Sequence, residues 1–341
     1  DKAEGAEIKI TVPKPLKVVS NGLLKSIEPS SGYWHTWVWE TNYPISSYNI
    51  NFTIGDFKEV KRTGYILDKP LKMIFYTLSN DTNKDIELLK SAEEYLSFYA
   101  GLFGQYPWIQ EKFGIVQTPY WGMEHQTAIA YGNNHKKTNL GYDFLLFHEI
   151  GHEWWGNSIT TNDIADMWIH EGFTAYSENL YLDYFYEKKA SSEYVIGTRA
   201  SIQNDRSIIG IYEVNKEGSG DMYYKGANIL HTLRQLIEDD EKWREILRGL
   251  NKYFYHKTIS SKQLEEYISE KSGIDLTEFW NQYLRTTQIP KVEYKVSNTE
   301  LNFRYVSIIE DFEMPVIAII NGNEEWIFPT ADWKTKEHWK S

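Results

Sequence analysis

The 341-residue sequence contains no cysteine. This absence excludes disulfide bonds, iron–sulfur clusters, thiolate zinc sites and a cysteine nucleophile, so any metal ion held by the protein must be bound by His, Asp or Glu. A chain without cysteine suits an oxidising or a reducing compartment equally well. The location therefore stays open, with a periplasmic or secreted protein favoured slightly over a cytoplasmic one.

Positive charge is also scarce, since 36 Lys and Arg face 48 Asp and Glu and leave a formal net charge of −12. This balance argues against nucleic-acid binding, which requires clustered Lys and Arg, but it is compatible with a site for a cation such as a peptide's free amino terminus. No uninterrupted apolar run reaches the roughly 18 residues of a membrane span, so we expect none. The opening residues, DKAEGAEIKITVP, are typical of a strand and not of a signal peptide.

The spacing of apolar residues changes twice along the chain. Short alternating runs such as EIKITV and WHTWVWE occupy residues 1–60 and predict antiparallel strands. Helical spacing begins near residue 80 and persists to about residue 286, and strand-like runs return after Pro290. We therefore predict an α+β multidomain protein in which a β region, a mostly helical region and a second β region follow one another.

The segment HEIGH at residues 148–152 lies within a helical pattern. On a helix, His148 and His152 lie one turn apart on the same face, so both imidazoles can reach a single ion. Glu149 points away from that pair but is close enough to contact a water molecule on the same metal, where it can act as a general base. The alternative is an amphipathic helix whose histidines only cap or pack.

Glu171 follows His152 by 19 positions and begins the next helical segment, IHEGFTAYSENLY. A hairpin of two helices would bring its carboxylate back to the histidines as a third ligand. Three protein ligands leave the fourth position of a zinc ion to water, as in catalytic sites. Glu178 and, with a weaker claim, Asp166 are candidates to support a ligand imidazole; a solvated helix carboxylate is the alternative for each.

HEIGHEWWGN followed by WIHEGF resembles the gluzincin zinc metallopeptidases, and with the upstream GMEHQ it resembles the aminopeptidase N family in particular. The resemblance implies one zinc ion and a substrate site in which Glu124, beside Met123 and Gly122, binds the free α-amine. The segment departs from the family at Trp121, where glycine is usual, at Gly122, where alanine or glycine is usual, and at His125, where asparagine is usual.

The family also uses a tyrosine of a Tyr-x-Lys-Gly segment to stabilise the oxyanion of the reaction. This chain has YYKGA at residues 223–227, so the resemblance assigns that role to Tyr223. Tyr224 is the alternative if the register differs by one residue. Without the resemblance, either tyrosine would be interpreted as a helix-surface or core aromatic residue.

The resemblance extends over most of the chain. It implies the C-terminal part of an N-terminal β domain at residues 1–62, a thermolysin-like zinc peptidase domain at residues 63–289, and a small β-sandwich at residues 290–341. The start of the N-terminal domain, with its second amine-binding residue, and the family's C-terminal helical domain have no counterpart in this sequence.

The sequence thus predicts a zinc aminopeptidase that releases the first residue of peptides with a free N-terminus, and it leaves the oligomeric state open. One alternative is an endopeptidase of the thermolysin kind, which has no use for Glu124. A second is a non-catalytic relative kept as a binding module, although such relatives usually lose the general base or a ligand. The third is a globular protein with an accidental motif, which would bind no stoichiometric zinc.

Overall fold

The computed structural model describes residues 1–297 and 300–337. Its N-terminal region is built from strands in three small antiparallel sheets, with the orders β2-β5-β4, β3-β7 and β1-β6. The strands are β1 (Lys2–Ala3), β2 (Ala6–Pro13), β3 (Lys17–Ser20), β4 (Leu23–Pro29), β5 (Trp34–Thr41), β6 (Ile45–Ser46) and β7 (Phe52–Gly55).

Buried and more exposed side chains alternate along these strands, and the buried ones form a core between this region and the rest of the chain. Ile8 and Val12 on β2 and Trp37 and Trp39 on β5 are buried on one face. They join a cluster that also contains Ile74, Tyr76, Val116 and Ala128 of the neighbouring sheet. The N-terminal region therefore packs directly against the part of the molecule that carries the candidate site.

That neighbouring sheet has five strands in the order β11-β12-β10-β9-β8, with β11 at one edge. The strands are β8 (Lys58–Ile66), β9 (Lys69–Thr77), β10 (Phe113–Gln117), β11 (Gly122–Met123) and β12 (Ile129–Tyr131). Strand β8 crosses position 62, so the expected boundary between the first two domains falls inside a strand of this sheet. Two further strands, β13 (Thr160–Thr161) and β14 (Thr258–Ile259), pair in parallel.

Helices dominate the following region. They are α1 (Thr82–Phe103), α2 (Phe144–Gly151), α3 (Trp168–Phe185), α4 (Lys188–Thr198), α5 (Tyr224–Ile237), α6 (Asp240–Tyr253), α7 (Ser261–Ser272) and α8 (Thr277–Arg285). Short 3-10 helices lie at Ser47–Asn49, Ile164–Asp166, Arg199–Ser201 and Gly220–Met222.

Helices α3 and α5 approach each other closely because two glycines face each other at their contact. A methyl group on Gly226 would come 2.9 Å from Cα of Gly172, so neither position has room for a side chain without separating the helices. Almost the whole of α3 is buried, and it runs through the centre of the largest hydrophobic cluster. This placement holds the start of α3 rigidly beside α2.

The last described residues form two antiparallel sheets, β15-β16-β19 and β17-β18. Their strands are β15 (Lys291–Val296), β16 (Glu300–Val306), β17 (Val316–Ile320), β18 (Asn323–Ile327) and β19 (Lys334–Glu337). Phe303, Ile320 and Ile327 join the two sheets in a small core. The succession of β, mainly helical and β regions confirms the predicted α+β class. Within the described residues, no helix is both long enough and apolar enough to span a membrane.

Candidate active site

Helix α2 carries the first part of the predicted metal site. Asp143 caps its start by accepting a hydrogen bond from the backbone N–H of Leu146 at 3.1 Å. His148 lies within the helix, and His152 follows its last residue with helical backbone angles (φ −65°, ψ −19°). The two imidazoles therefore lie on the same side, with their Nε2 atoms 3.1 Å apart.

Helix α3 brings a carboxylate to these nitrogens. Oε2 of Glu171 lies 3.4 Å from Nε2 of His148 and 3.4 Å from Nε2 of His152. The glutamate is in the first turn of α3 and is buried. The hairpin expected from the sequence thus brings His148, His152 and Glu171 together.

The chemistry of these three side chains fits a metal ion. Nδ1 of His148 faces Oε1 of Glu178 at 3.2 Å, and Nδ1 of His152 faces the carbonyl oxygen of Trp155 at 2.9 Å. When each Nδ1 donates its proton to that oxygen, the neutral imidazole directs its Nε2 lone pair to the common centre, as binding of a metal ion requires. Oε2 of Glu171, in the same place, is buried and has no hydrogen-bond partner within residues 1–297 and 300–337. Two imidazole nitrogens and one carboxylate oxygen are a ligand set that suits zinc.

The electrostatic surroundings of the two imidazoles favour a positive charge at this centre. Burial alone would lower the pKa of His148, but the carboxylates of Glu171 and Glu178 outweigh it and raise that pKa well above its ordinary value. Burial likewise opposes charge on His152, whereas Glu171 and Glu124 raise its pKa to about 9. The same interactions would attract a divalent cation.

Glu149 lies beside the cluster without joining it. Its carboxylate is buried, and Oε2 has no hydrogen-bond partner among the described residues. Burial raises the pKa of Glu149 to about 7, although the charges of His148 and His152 oppose the shift. A carboxyl group in such surroundings can take up and release a proton near neutral pH.

Glu124 follows the edge strand β11, which pairs with β12 through Gly122–Tyr131 and Met123–Ala130. Its side chain is buried, and ligand atoms of Glu124, Glu149 and His152 all lie within 4.8 Å of one another. The sheet edge and helix α2 therefore meet at this point. A cation bound to Glu124 would lie directly beside the metal cluster.

Tyr223 and Tyr224 both line the cavity in front of the cluster, which has a volume of about 410 Å³. The ring of Tyr223 stacks on His148 with 6.1 Å between centroids. Burial raises the pKa of Tyr223, and Glu171, Glu124 and Glu149 act in the same direction. Burial also raises the pKa of Tyr224, but there the added charge is that of Glu178. Of the two hydroxyls, that of Tyr223 is therefore the one influenced by Glu171, Glu124 and Glu149.

The rest of the cavity wall is largely apolar and aromatic. Side chains from the edge strand and from three helices contribute to it, among them Trp121, Met123, Phe144, Met167 and Ala175. Trp121 remains 59% exposed at the mouth of the cavity. It is therefore available to contact a molecule entering from solvent.

The two carboxylates expected to support the imidazoles differ in their placement. Glu178 contacts Nδ1 of His148 and accepts a hydrogen bond from the hydroxyl of Tyr194. Asp166, by contrast, accepts hydrogen bonds from Tyr212 and Ser261. The structure therefore directs the carboxylate of Asp166 to Tyr212 and Ser261 and not to the imidazoles of His148 and His152.

Sequence reasoning missed Glu153 and Asn157, which lie in HEWWGN, just after the HEIGH segment. Glu153 is fully buried, and burial raises its pKa to about 7. It accepts hydrogen bonds from Tyr106, Trp108, Thr127 and Asn157. The only signal in the sequence was a carboxylate within an otherwise apolar and aromatic run, which does not identify partners that are distant along the chain.

The fold and the site together define a class of protein. In this class, a scaffold of sheets and helices brings two histidines and a glutamate together, and a second glutamate directly follows the first histidine. Residues 88–283 match the peptidase family M1 domain, and the chain belongs to that family. The family predicted from the sequence is therefore confirmed.

Curated relatives agree with this assignment. Glutamyl aminopeptidase of Sus scrofa is 25% identical over 318 residues, which cover 86% of this chain and 32% of the relative. Endoplasmic reticulum aminopeptidase 1 of Mus musculus is 24% identical over 72% of this chain and 28% of its own length. Leukotriene A-4 hydrolase of Xenopus laevis is 23% identical over 86% of this chain and 51% of its own length. The chain thus spans about a quarter to a half of the length of these relatives.

Solved structures show the same fold. The M1 zinc metallopeptidase of Deinococcus radiodurans superposes with a TM-score of 0.69 at 19% identity, covering 85% of this chain and 66% of the other. A mutant of that enzyme bound to a Tyr-Ser-Ala substrate gives a TM-score of 0.71, with the same identity and coverage.

Proposed function

We propose that this chain is the core of a zinc aminopeptidase that removes the first residue from peptides. The observation that carries the proposal is the position of Glu124, whose carboxylate lies within 4.8 Å of ligand atoms of Glu149 and His152. The α-amine of a peptide is only two bonds, roughly 2.5 Å, from the carbonyl carbon of its first residue. An ammonium group bound to Glu124 would therefore place the first peptide bond at Glu149 and the metal cluster.

His148, His152 and Glu171 would hold one zinc ion, since their converging atoms fit that metal. When bound, zinc supplies a Lewis acid that polarises water and the substrate carbonyl. Glu178 holds the ring of His148 in the tautomer that leaves Nε2 free to bind.

Glu149 acts as the general base in this proposal. Its buried carboxylate accepts a proton from the attacking water molecule and then gives it to the departing amine. Tyr223, stacked on His148, donates a hydrogen bond to the oxyanion that develops on the former carbonyl oxygen. Both groups act at the first peptide bond because Glu124 fixes the amino terminus.

The edge strand offers a way to hold the rest of the peptide. Strand β11 pairs with β12 on one side and ends the five-stranded sheet on the other. An extended peptide can add alongside such an edge through main-chain hydrogen bonds, which tolerate different side chains. The relative in complex with Tyr-Ser-Ala and the curated relatives named aminopeptidases support a peptide substrate.

Metal analysis and a pair of substrates test this proposal. We expect about one zinc ion per chain, and cleavage of a free-amino peptide at its first bond but not of its N-acetylated twin. Equal cleavage of the two peptides would contradict the aminopeptidase and favour an endopeptidase. Bound zinc without cleavage of either peptide would indicate a non-catalytic relative.

Replacing the amine-binding carboxylate sharpens the test. Glu124→Gln should lower kcat/KM for the free-amino peptide by about tenfold to a hundredfold, because a charged hydrogen bond in a buried pocket is lost. The matched control is Glu111→Gln, which changes another buried glutamate whose partners are Thr41 and Asn42. The control should retain the parent's kcat/KM; an equal loss in both variants would mean that Glu124 is only structural.

A further inference from the structure

The turn that directly follows Glu124 has an unfavourable backbone conformation. It is closed by a hydrogen bond from the N–H of Ala128 to the carbonyl oxygen of His125 at 2.9 Å. Thr127, inside the turn, has a φ of +58°, in the left-handed region that a β-branched residue rarely adopts. Such a conformation persists only where surrounding contacts hold it.

Glu153 supplies one of these contacts from the segment that follows α2. Its Oε1 accepts hydrogen bonds from the N–H of Thr127 at 3.0 Å and the hydroxyl of Tyr106 at 3.1 Å. Its Oε2 accepts from Nε1 of Trp108 at 2.7 Å and from Nδ2 of Asn157 at 3.0 Å. The N–H groups of Thr127, Trp108 and Asn157 can only donate, whereas the single proton of the Tyr106 hydroxyl can go to Glu153 or to the carbonyl oxygen of Lys112, which is also 3.1 Å away. A carboxylate can accept from all four groups at once.

Asn157 extends this arrangement to Glu124 itself. The same amide nitrogen that donates to Glu153 also donates to the carbonyl oxygen of Glu124 at 2.8 Å. Oδ1 of Asn157 accepts from Asn49 of the N-terminal region at 2.8 Å, and Oδ1 of Asn49 accepts from the N–H of Gln126 at 3.0 Å. The turn is therefore held at residues 124, 126 and 127.

We propose that Glu153 is a positioning residue for Glu124. By holding the amide of Thr127 directly and the carbonyl of Glu124 through Asn157, it keeps the Glu124 carboxylate beside Glu149. Glu153 does not line the cavity, and its four hydrogen-bond partners include no proposed reacting group, so we expect its effect on Glu124 to be transmitted through the turn. The consequence for substrate binding rests on the proposed function, whereas the effect on the turn does not.

Glutamine cannot replace Glu153, although it has the same size. The amide of glutamine can be placed in two orientations, and in either of them its NH₂ group faces hydrogen-bond donors. On the Oε2 side it would face the N–H groups of both Trp108 and Asn157; on the Oε1 side it would face the N–H of Thr127 and the hydroxyl of Tyr106, which can turn to accept. The second orientation costs less, so Glu153→Gln should release Thr127 while retaining the volume and the other contacts.

Glu111→Gln is the matched control for this substitution. Glu111 is also buried, and it accepts from the hydroxyl of Thr41 at 3.0 Å and the N–H of Asn42 at 2.9 Å. These bonds likewise link the N-terminal region to the rest of the molecule, but they do not touch the turn. Any general effect of a buried glutamine at this junction should appear in both variants.

Hydrogen–deuterium exchange and steady-state kinetics on the zinc-loaded full chain test the proposal. In Glu153→Gln we expect amides 124–128 to exchange about tenfold faster than in the parent, the scale of one lost charged hydrogen bond. For a free-amino aminoacyl anilide we expect KM to rise about tenfold with kcat within about twofold, and with unchanged zinc content. Glu111→Gln should change neither the exchange of the turn nor KM.

Unchanged exchange in Glu153→Gln, or equal acceleration in Glu111→Gln, would overturn the proposal. Faster exchange with an unchanged KM would also overturn it, because the turn would then be loosened without any consequence for the amine. If the parent protein cleaves no free-amino substrate, the proposed aminopeptidase function fails, while the exchange data still decide whether Glu153 holds the turn.

Discussion

Gly122 on the edge strand faces the carboxylate of Glu149 so closely that a single methyl group would disturb it. A Cβ atom on Gly122 would lie 2.4 Å from Oε1 of Glu149 and 2.7 Å from Cδ1 of Leu145. Because comfortable contacts between heavy atoms begin near 3.5 Å, Gly122→Ala would require the carboxylate to move by roughly 1 Å. A displacement of that size in a reacting group can lower a rate about a hundredfold.

The same substitution should affect stability little. Gly122 does not have a positive φ, so alanine is compatible with its backbone. The atoms in the way are the ends of two flexible side chains, not backbone atoms. We therefore expect Gly122→Ala to lower the free energy of unfolding by only about 1 kcal/mol, while kcat falls about a hundredfold. Alanine is also usual at this position in the family, so the expected loss rests on the close approach of Glu149 to Gly122 in this chain.

Measurement of kcat and KM on a free-amino substrate, together with zinc content and Tm, separates these effects. Gly101→Ala in helix α1 is a suitable control, because its added methyl group meets no atom within 4 Å. It should leave kcat unchanged and stabilise the protein by about 0.5–1 kcal/mol. If kcat of Gly122→Ala stays within about twofold of the parent, the inferred contact with Glu149 has no catalytic importance.

Four further predictions concern the site and its surroundings. Glu149→Gln should keep zinc bound but lower kcat by about 10²- to 10⁴-fold; retained turnover would exclude its role as base. Tyr223→Phe should lower kcat by about 10²- to 10³-fold and Tyr224→Phe much less, whereas the reverse order would assign the oxyanion contact to Tyr224. Trp121→Gly should improve kcat/KM for bulky first residues relative to small ones across an anilide panel, and an unchanged profile would dismiss Trp121 as a selectivity residue. Burial lowers the pKa of His256 to about 4. Between pH 6.5 and pH 4 the unfolded state therefore binds one more proton than the folded state, and stability falls as the pH is lowered. Tm should therefore fall less over this range in His256→Gln than in the parent, and equal slopes would contradict this.

The clustering of the candidate metal ligands was predictable because their geometry is mostly local. Helical periodicity alone places His148 and His152 on one face, and the next helical segment supplies Glu171 a short distance later. Tyr223 is different, because only the family resemblance singled it out from the other tyrosines of the chain. Nothing in the spacing of YYKGA reveals that one ring would stack on His148.

Features that depend on long-range pairing were not predictable. Three of the four hydrogen-bond partners of Glu153 lie 26 to 47 residues away along the chain, so its local sequence does not reveal them. Asp166 was a candidate to support an imidazole, but it accepts a hydrogen bond from the N–H of Ser261, which is 95 residues distant. The expected domain boundary at residue 62 falls within strand β8. The strand belongs to the five-stranded sheet through its pairing with β9, and that pairing cannot be recognised from its composition.

The two parts of the candidate site therefore depend on different contacts. The metal cluster and Glu149 belong to α2 and α3, which pack within one hydrophobic core. Glu124 instead depends on a polar junction, in which the N–H of Gly22 also donates to the hydroxyl oxygen of Thr127 at 2.8 Å. We expect loosening of this junction to leave His148, His152, Glu171 and Glu149 in place but to displace the carboxylate of Glu124, which we propose binds the amine. In the proposed function, the N-terminal β region thus contributes to amine recognition without contributing a metal ligand.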